Sequence, residues 1–133
     1  MQKRRKILKE FLGYLQNVKG KSPKTVEEYY LDLRTFFRYL KLSRGLVAQD
    51  TSFEEIQISD IDLNMIKEVT LTQVYEYMNY LISERGNSAT TRSRKVSSLR
   101  TFFKYLTNKT NQLEVNPIEE LETPKQKKSL PVF

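Results

Sequence analysis

The sequence predicts an all-α fold, a compact bundle of four to five helices. Four segments carry apolar residues at helical spacing, and three of them begin directly after a Ser or Thr that suits a helix N-cap. Only 4 Gly and 4 Pro occur among the 133 residues, which argues against a protein built from loops or β-turns. The length suits one domain that folds without disulfides or metals.

The first predicted helix covers about residues 3–18. Its apolar residues form one stripe at helical spacing: Ile7, Leu8, Phe11, Leu12, Leu15 and Val18. Charged and amide side chains interrupt every apolar run here, so the segment fits neither a signal peptide nor a membrane span. We therefore expect an amphipathic helix with a basic first turn.

The second helix is expected to open with Ser22 as N-cap and Pro23 in the first turn, and to end between residues 41 and 45. Its stripe consists of Val26, Tyr30, Leu33, Phe37 and Leu40. Residues 42–69 carry a net charge of −4 and fit no single period. They are predicted to form a long connection with one or two short helical turns.

The last two helices are expected to begin after Thr70 and after Ser88. The fourth segment reaches toward Gly86, which suits the residue just past a helix end. The fifth runs to about Asn108, and its stripe consists of Val96, Leu99, Phe103 and Leu106. We predict one domain over residues 1–109. Residues 110–133, which hold three of the four prolines, are predicted to be a linker with a short turn after Asn116-Pro117.

The second and fifth segments repeat each other at an offset of 66 residues. LRTFFRYL (33–40) and LRTFFKYL (99–106) match at seven of eight positions, and both segments start with the same cap pattern, Ser22/Thr25 and Ser88/Thr91. Two copies are too few for a solenoid. Similar core helices converge on similar apolar residues, but that does not explain the shared Arg-Thr.

Composition excludes several kinds of chemistry. Because the chain has no Cys and no His, it has no thiol chemistry, no imidazole acid–base catalysis and none of the common zinc sites. We predict no metal, no cofactor and no catalytic residue in this fragment. The net charge is +7, which favours a polyanionic partner.

The fifth segment concentrates that charge. Residues 88–106 contain five basic residues and no acid, so no ion pair forms within the helix. Opposite its stripe, helical geometry places Thr90, Arg94, Ser97, Ser98 and Thr101. Small hydroxyl side chains allow close approach to DNA, and Arg reaches phosphates or guanine edges in the major groove.

The outward side of the second helix is a weaker candidate. It is expected to present Lys24, Glu28, Leu31, Asp32 and Thr35, and its two acids disfavour deep insertion into a groove. Contact with DNA is expected instead from its N-terminal end, at Ser22, Lys24 and Thr25, and from the flanking Arg34.

Three stretches carry a family resemblance: SPKTVEEYYLDLRTFFRYL (22–40), SATTRSRKVSSLRTFFKYLTN (88–108) and NPIEELETPKQKKSLPVF (116–133). The chain resembles the N-terminal core-binding domain of tyrosine recombinases, the phage integrase and Xer-type enzymes. The resemblance implies the lambda-integrase-like, SAM-like bundle. It also implies that this domain clamps duplex DNA at a recombination site, together with a catalytic domain expected beyond this chain.

In that family the second and fourth main helices lie near the major groove, and these correspond to the second and fifth segments here. The predicted DNA-binding residues are Ser22, Lys24, Thr25, Arg34, Thr90, Thr91, Arg92, Arg94, Lys95, Ser98 and Arg100. The tyrosines are assigned to the core or to interfaces, and none is expected to be a nucleophile. The partner is expected to be double-stranded DNA and not a membrane, and the location is expected to be cytoplasmic, in association with a bacterial or phage nucleoid. The parent protein is expected to be a DNA-breaking and rejoining enzyme that acts as a tetramer on paired sites.

Two other functions fit the same features. One is a free-standing helical DNA-binding regulator, and the other is a helical protein–protein module whose basic surface meets an acidic partner.

Overall fold

Five α-helices build the protein in the computed structural model, which describes residues 2–122, with side chains from Lys6 onward. The helices are α1 (Gln2–Asn17), α2 (Pro23–Ser43), α3 (Leu63–Lys67), α4 (Leu71–Ser83) and α5 (Ala89–Lys104). A 3₁₀ turn covers Phe53–Glu55, and α5 continues into a π-helical turn over Tyr105–Lys109. Residues 2–122 contain no strand, and the predicted all-α fold class is confirmed. The end of the predicted linker, residues 123–133, lies outside the described residues.

Three helices, α2, α4 and α5, start where their predicted capping residues place them. The Ser22 hydroxyl accepts a hydrogen bond from the Thr25 amide at 3.2 Å, and Ser88 accepts from the Thr91 amide at the same distance. Thr70 caps α4 in the same way, at 3.1 Å from the Gln73 amide. Each bond satisfies an amide that has no partner inside its helix, which fixes the first turn.

Aromatic side chains from four helices meet in one core. The Phe11 ring of α1 lies 5.1 Å from the Phe102 ring of α5 in an edge-to-face contact. The Phe36 ring of α2 lies 5.1 Å from the Tyr77 ring of α4 in the same kind of geometry. Edge-to-face pairs add to the stability that burial already gives. The apolar stripes of α1, α2, α4 and α5 therefore converge on a common centre.

The two repeated helices, α2 and α5, pack directly against each other. The rings of Phe37 and Phe102 lie 5.8 Å apart, edge to face. The repeat extends to side-chain bonding, since the Thr35 hydroxyl donates to the Leu31 carbonyl at 3.0 Å and the Thr101 hydroxyl donates to the Ser97 carbonyl at 3.1 Å. Both helices thus share caps, core residues and outer hydroxyl contacts.

The acidic connection between α2 and α4 packs along the C-terminal half of α2. The Arg38 Nε donates to the Ile56 carbonyl at 3.0 Å, and the Lys41 Nζ forms an ion pair with Asp60 at 2.8 Å. The Arg44 guanidinium reaches the Met65 carbonyl at 3.1 Å. The 3₁₀ turn and α3 confirm the prediction of one or two short helical turns. Cations in the C-terminal half of α2 and directly after it therefore hold this connection.

The core continues beyond α5. Leu113, Ile118 and Leu121 are buried, and Arg100 donates a hydrogen bond to the Leu121 carbonyl. The Asn116 side chain accepts from the Ile118 amide at 3.0 Å, which forms the predicted turn. The division of the chain at residue 109 stays a prediction, and the following residues, as far as 121, pack onto the helices.

Replacing Ile118 with alanine tests whether this segment belongs to the folding unit. Ile118 is 1% exposed, so Ile118→Ala is expected to lower the free energy of unfolding by about 2 to 5 kcal/mol. Urea unfolding followed by circular dichroism measures the change. Val115→Ala is the control, because Val115 is 76% exposed and its loss is expected to change little. Equal stability of both variants would contradict the packing described.

Candidate nucleic-acid interface

The outer side of α5 combines one arginine with small hydroxyl side chains. Thr90, Arg94 and Ser97 are exposed and Thr101 is half-buried, and we call these four residues the α5 surface. The Arg94 side chain keeps 53% of its area exposed. The structure therefore agrees with the outward orientation predicted for these four residues.

Two residues expected on the outside are buried instead. Asp32 is 2% exposed and Ser98 is 5% exposed, and the Ser98 hydroxyl donates to the Asp32 carboxylate at 2.7 Å. The outward orientation predicted for both is wrong. Each residue lies one helical turn before a fully buried phenylalanine, Phe36 in α2 and Phe102 in α5. The packing of α2 against α5 covers this flank.

Asp32 has two hydrogen-bond donors and one further cation around it, all from α5. The Arg94 Nη2 donates to the Asp32 Oδ1 at 2.9 Å, and the Lys95 Nζ lies 3.6 Å from the same oxygen. The Ser98 hydroxyl supplies the second hydrogen bond, at Oδ2. Burial lowers the pKa of Lys95, and the Asp32 charge opposes that change. Three of the predicted DNA-binding residues thus converge on an acid that sequence reasoning had placed on the surface.

The other predicted arginines contact the protein itself. The Arg92 Nη1 donates to the Asn87 carbonyl at 2.8 Å, in the loop before α5. Arg100 holds the Leu121 carbonyl. The Arg34 guanidinium lies over the Tyr30 ring, 5.7 Å from its centroid, and its buried Nε has no hydrogen-bond partner within residues 2–122. These contacts fix the orientation of the side chains but leave their predicted contacts with DNA untested.

The cap residues form two equivalent pairs at the N-termini of α2 and α5. The Ser22 hydroxyl donates to the Thr25 hydroxyl at 3.1 Å, and the Ser88 hydroxyl donates to the Thr91 hydroxyl at 3.2 Å. Lys24 is exposed beside the first pair. Glu27 and Glu28 are also exposed, so the surface of α2 carries charges of both signs, whereas α5 has no acidic residue.

The tyrosines with the deepest burial belong to the core, as predicted. Tyr77 is fully buried, and burial, helped by the Asp32 charge, raises its pKa. Tyr39 and Tyr105 are also buried, and the Tyr105 ring lies 5.2 Å from the Phe11 ring. Within the described chain, no group of three or more acidic side chains is placed to hold a metal ion. No helix there is long and apolar enough to cross a membrane.

Sequence reasoning missed Asp32 as the centre of this site. A signal was present, because Asp32 stands at the position of α2 that corresponds to Ser98 in α5. The repeat changes there from a carboxylate to a hydroxyl, and the two residues contact each other.

Comparison with known proteins agrees with the helical fold. The family model of the phage integrase N-terminal SAM-like domain matches residues 8–110. A tyrosine recombinase XerC from Caldanaerobacter subterraneus subsp. tengcongensis is 45% identical over 127 residues, which cover 96% of this chain and 36% of that protein. A tyrosine recombinase XerC from Bacillus subtilis is 31% identical over 133 residues, covering 100% of this chain and 37% of that protein.

A tyrosine recombinase XerD from Listeria monocytogenes is 31% identical over 125 residues, covering 94% of this chain and 36% of that protein. No solved structure matches the chain. The chain spans about a third of the length of these relatives. Since the family model covers most of the helical bundle, the chain belongs to the phage integrase N-terminal SAM-like domain family.

Proposed function

We propose that this chain is the DNA-binding domain of a tyrosine recombinase and that α5 is its main contact with duplex DNA. One observation carries the proposal: α5 has five basic residues and no acid, and its arginine-bearing surface remains open to solvent. A helix with charge of one sign attracts the phosphate backbone and releases counterions on binding.

The shape of the α5 surface supports close approach to DNA. Thr90 and Ser97 are short, so they allow the helix backbone to come near phosphates or base edges while their hydroxyls donate hydrogen bonds. Arg94 projects between them on the same side of the helix and is long enough to reach a phosphate or a guanine.

The N-terminal end of α2 supplies a second contact. Lys24 is exposed there, beside the Ser22–Thr25 cap pair. Glu27 and Glu28 follow on the exposed side of α2, and their charge opposes a close approach of the helix centre to phosphates. DNA contact by α2 is therefore proposed for its first turn, together with the predicted contact of the flanking Arg34.

A salt titration tests this function. Binding of the 133-residue chain to a fluorescent DNA duplex, measured by anisotropy, is expected to weaken with salt at a log–log slope of about −4 to −5, which corresponds to about five neutralised phosphates. Arg94→Ala is expected to weaken binding about tenfold and to reduce the slope by about 1.

Lys67→Ala is the matched control, since Lys67 is an exposed cation on α3 and its loss changes the net charge equally. Equal effects of the two substitutions would contradict a role for the α5 surface. Absence of DNA binding at low salt, combined with binding to an acidic polypeptide, would favour the protein–protein alternative.

The parent protein is proposed to be a DNA-breaking and rejoining recombinase. The relatives named above are called tyrosine recombinases, and the matched segment makes up only about a third of their length. Assembly as a tetramer on paired DNA sites and a cytoplasmic location belong to the same proposal.

The genomic reading frame tests the parent's identity. We expect it to continue for roughly 150–200 residues, the size of a further domain. That continuation is expected to contain the spaced Arg, His-x-x-Arg and Tyr pattern of the resembled family. A stop codon directly after Phe133 would instead favour a free-standing regulator.

A further inference from the structure

We propose that Asp32 is a positioning residue for DNA binding. It fixes the guanidinium of Arg94 so that the N–H groups not bonded to Asp32 face the DNA. The inference rests on the proposed function, because it concerns the same surface. Asp32 itself is buried and touches no ligand. It acts through the side chains of α5 that it holds.

The geometry separates an anchored end from an open end. The Asp32 side chain is 2% exposed, whereas that of Arg94 is 53% exposed and that of Lys95 is 14% exposed. The Arg94 Nη2 is held at 2.9 Å from the carboxylate. A guanidinium has five N–H donors in a rigid fork, so one bond to Asp32 leaves donors for a second acceptor.

The local charge also favours a second anion. Two cations, Arg94 and Lys95, contact one carboxylate, which leaves the cluster with a net charge of +1. A buried carboxylate stripped of its partners is strongly unfavourable, so Asp32 keeps its hold on both cations. A DNA phosphate can neutralise the remaining charge without displacing Asp32.

Positioning has a physical benefit for affinity. A long side chain that must be ordered on binding costs about 0.5 to 1.5 kcal/mol. In this protein that order exists before DNA arrives, because Asp32, itself bonded to Ser98, already holds the Arg94 guanidinium.

The repeat singles out this position. Asp32 and Ser98 are equivalent in the two similar helices, and they contact each other at 2.7 Å. The carboxylate in one copy and the hydroxyl in the other make the acceptor–donor pair that joins the two helices.

Positioning and bulk charge make opposite predictions for Asp32→Asn. The substitution raises the net charge from +7 to +8, which by long-range electrostatics alone strengthens DNA binding. Under the proposal, the loss of the anchor weakens binding instead, by about tenfold, the effect of losing one well-placed arginine contact.

The experiment compares anisotropy titrations of the 133-residue chain with labelled duplex DNA at low salt. Asp60→Asn is the matched control. Asp60 lies in the acidic connection and pairs at 2.8 Å with Lys41 of α2, the helix that carries Asp32, and its substitution changes the net charge equally. We expect Asp60→Asn to bind as tightly as the wild type or more tightly. We expect Asp32→Asn to bind less tightly and to have no further effect in a chain that already carries Arg94→Ala.

Arg94→Lys keeps the test decisive if Asp32→Asn fails to fold, as judged by circular dichroism. A lysine retains the charge and the pairing with Asp32 but lacks the fork, so binding is expected to fall close to that of Arg94→Ala. Two results would overturn this inference but not the proposed function. One is wild-type affinity of Arg94→Lys, and the other is an affinity of folded Asp32→Asn that equals or exceeds that of the wild type. Failure of the wild type itself to bind DNA would overturn the proposed function.

Discussion

A single buried carboxylate constrains how the two repeated helices of this protein meet. Asp32 lies between α2 and α5, and its charge is tolerated in the interior only because Arg94, Lys95 and Ser98 surround it. Those partners all come from α5, so the pairing fixes the rotation of α5 about its own axis. The same rotation directs the α5 surface outward.

The cations of the chain divide into two groups with different surroundings. Those in the C-terminal half of α2 hold the acidic connection, through Lys41 with Asp60 and Arg38 with the Ile56 carbonyl. In the turn just after α4, Arg85 pairs with Glu54 at 3.5 Å and lies over the Phe53 ring. Two acids of the connection, Glu54 and Asp60, are thus paired with cations outside α5, while α5 carries cations without acids of its own. The positive charge is therefore more concentrated on α5 than the net charge of the whole chain indicates.

Helix positions follow from local rules, and the sequence is therefore enough to predict them. Ser22, Thr70 and Ser88 mark helix starts because capping acts within one turn. The burial of Asp32 and Ser98 is not local, because it depends on which flank of α2 the helix α5 covers. The paired phenylalanines of each repeat widen the buried strip toward these positions, but spacing alone does not show which neighbour completes it. The packing of Ile118 and Leu121 is also not predicted, because these residues stand in a segment without helical periodicity and their burial depends on contact with helices distant in sequence.

The most direct measurement is an amide chemical-shift map of the isotope-labelled chain titrated with a DNA duplex. The account predicts the largest changes at Thr90, Arg94 and Ser97, with smaller changes at Lys24 in the first turn of α2. Residues 50–62 of the acidic connection are predicted to stay unchanged. Changes concentrated in that connection, with an unperturbed α5, would contradict the central claim that the α5 surface is where this domain meets DNA.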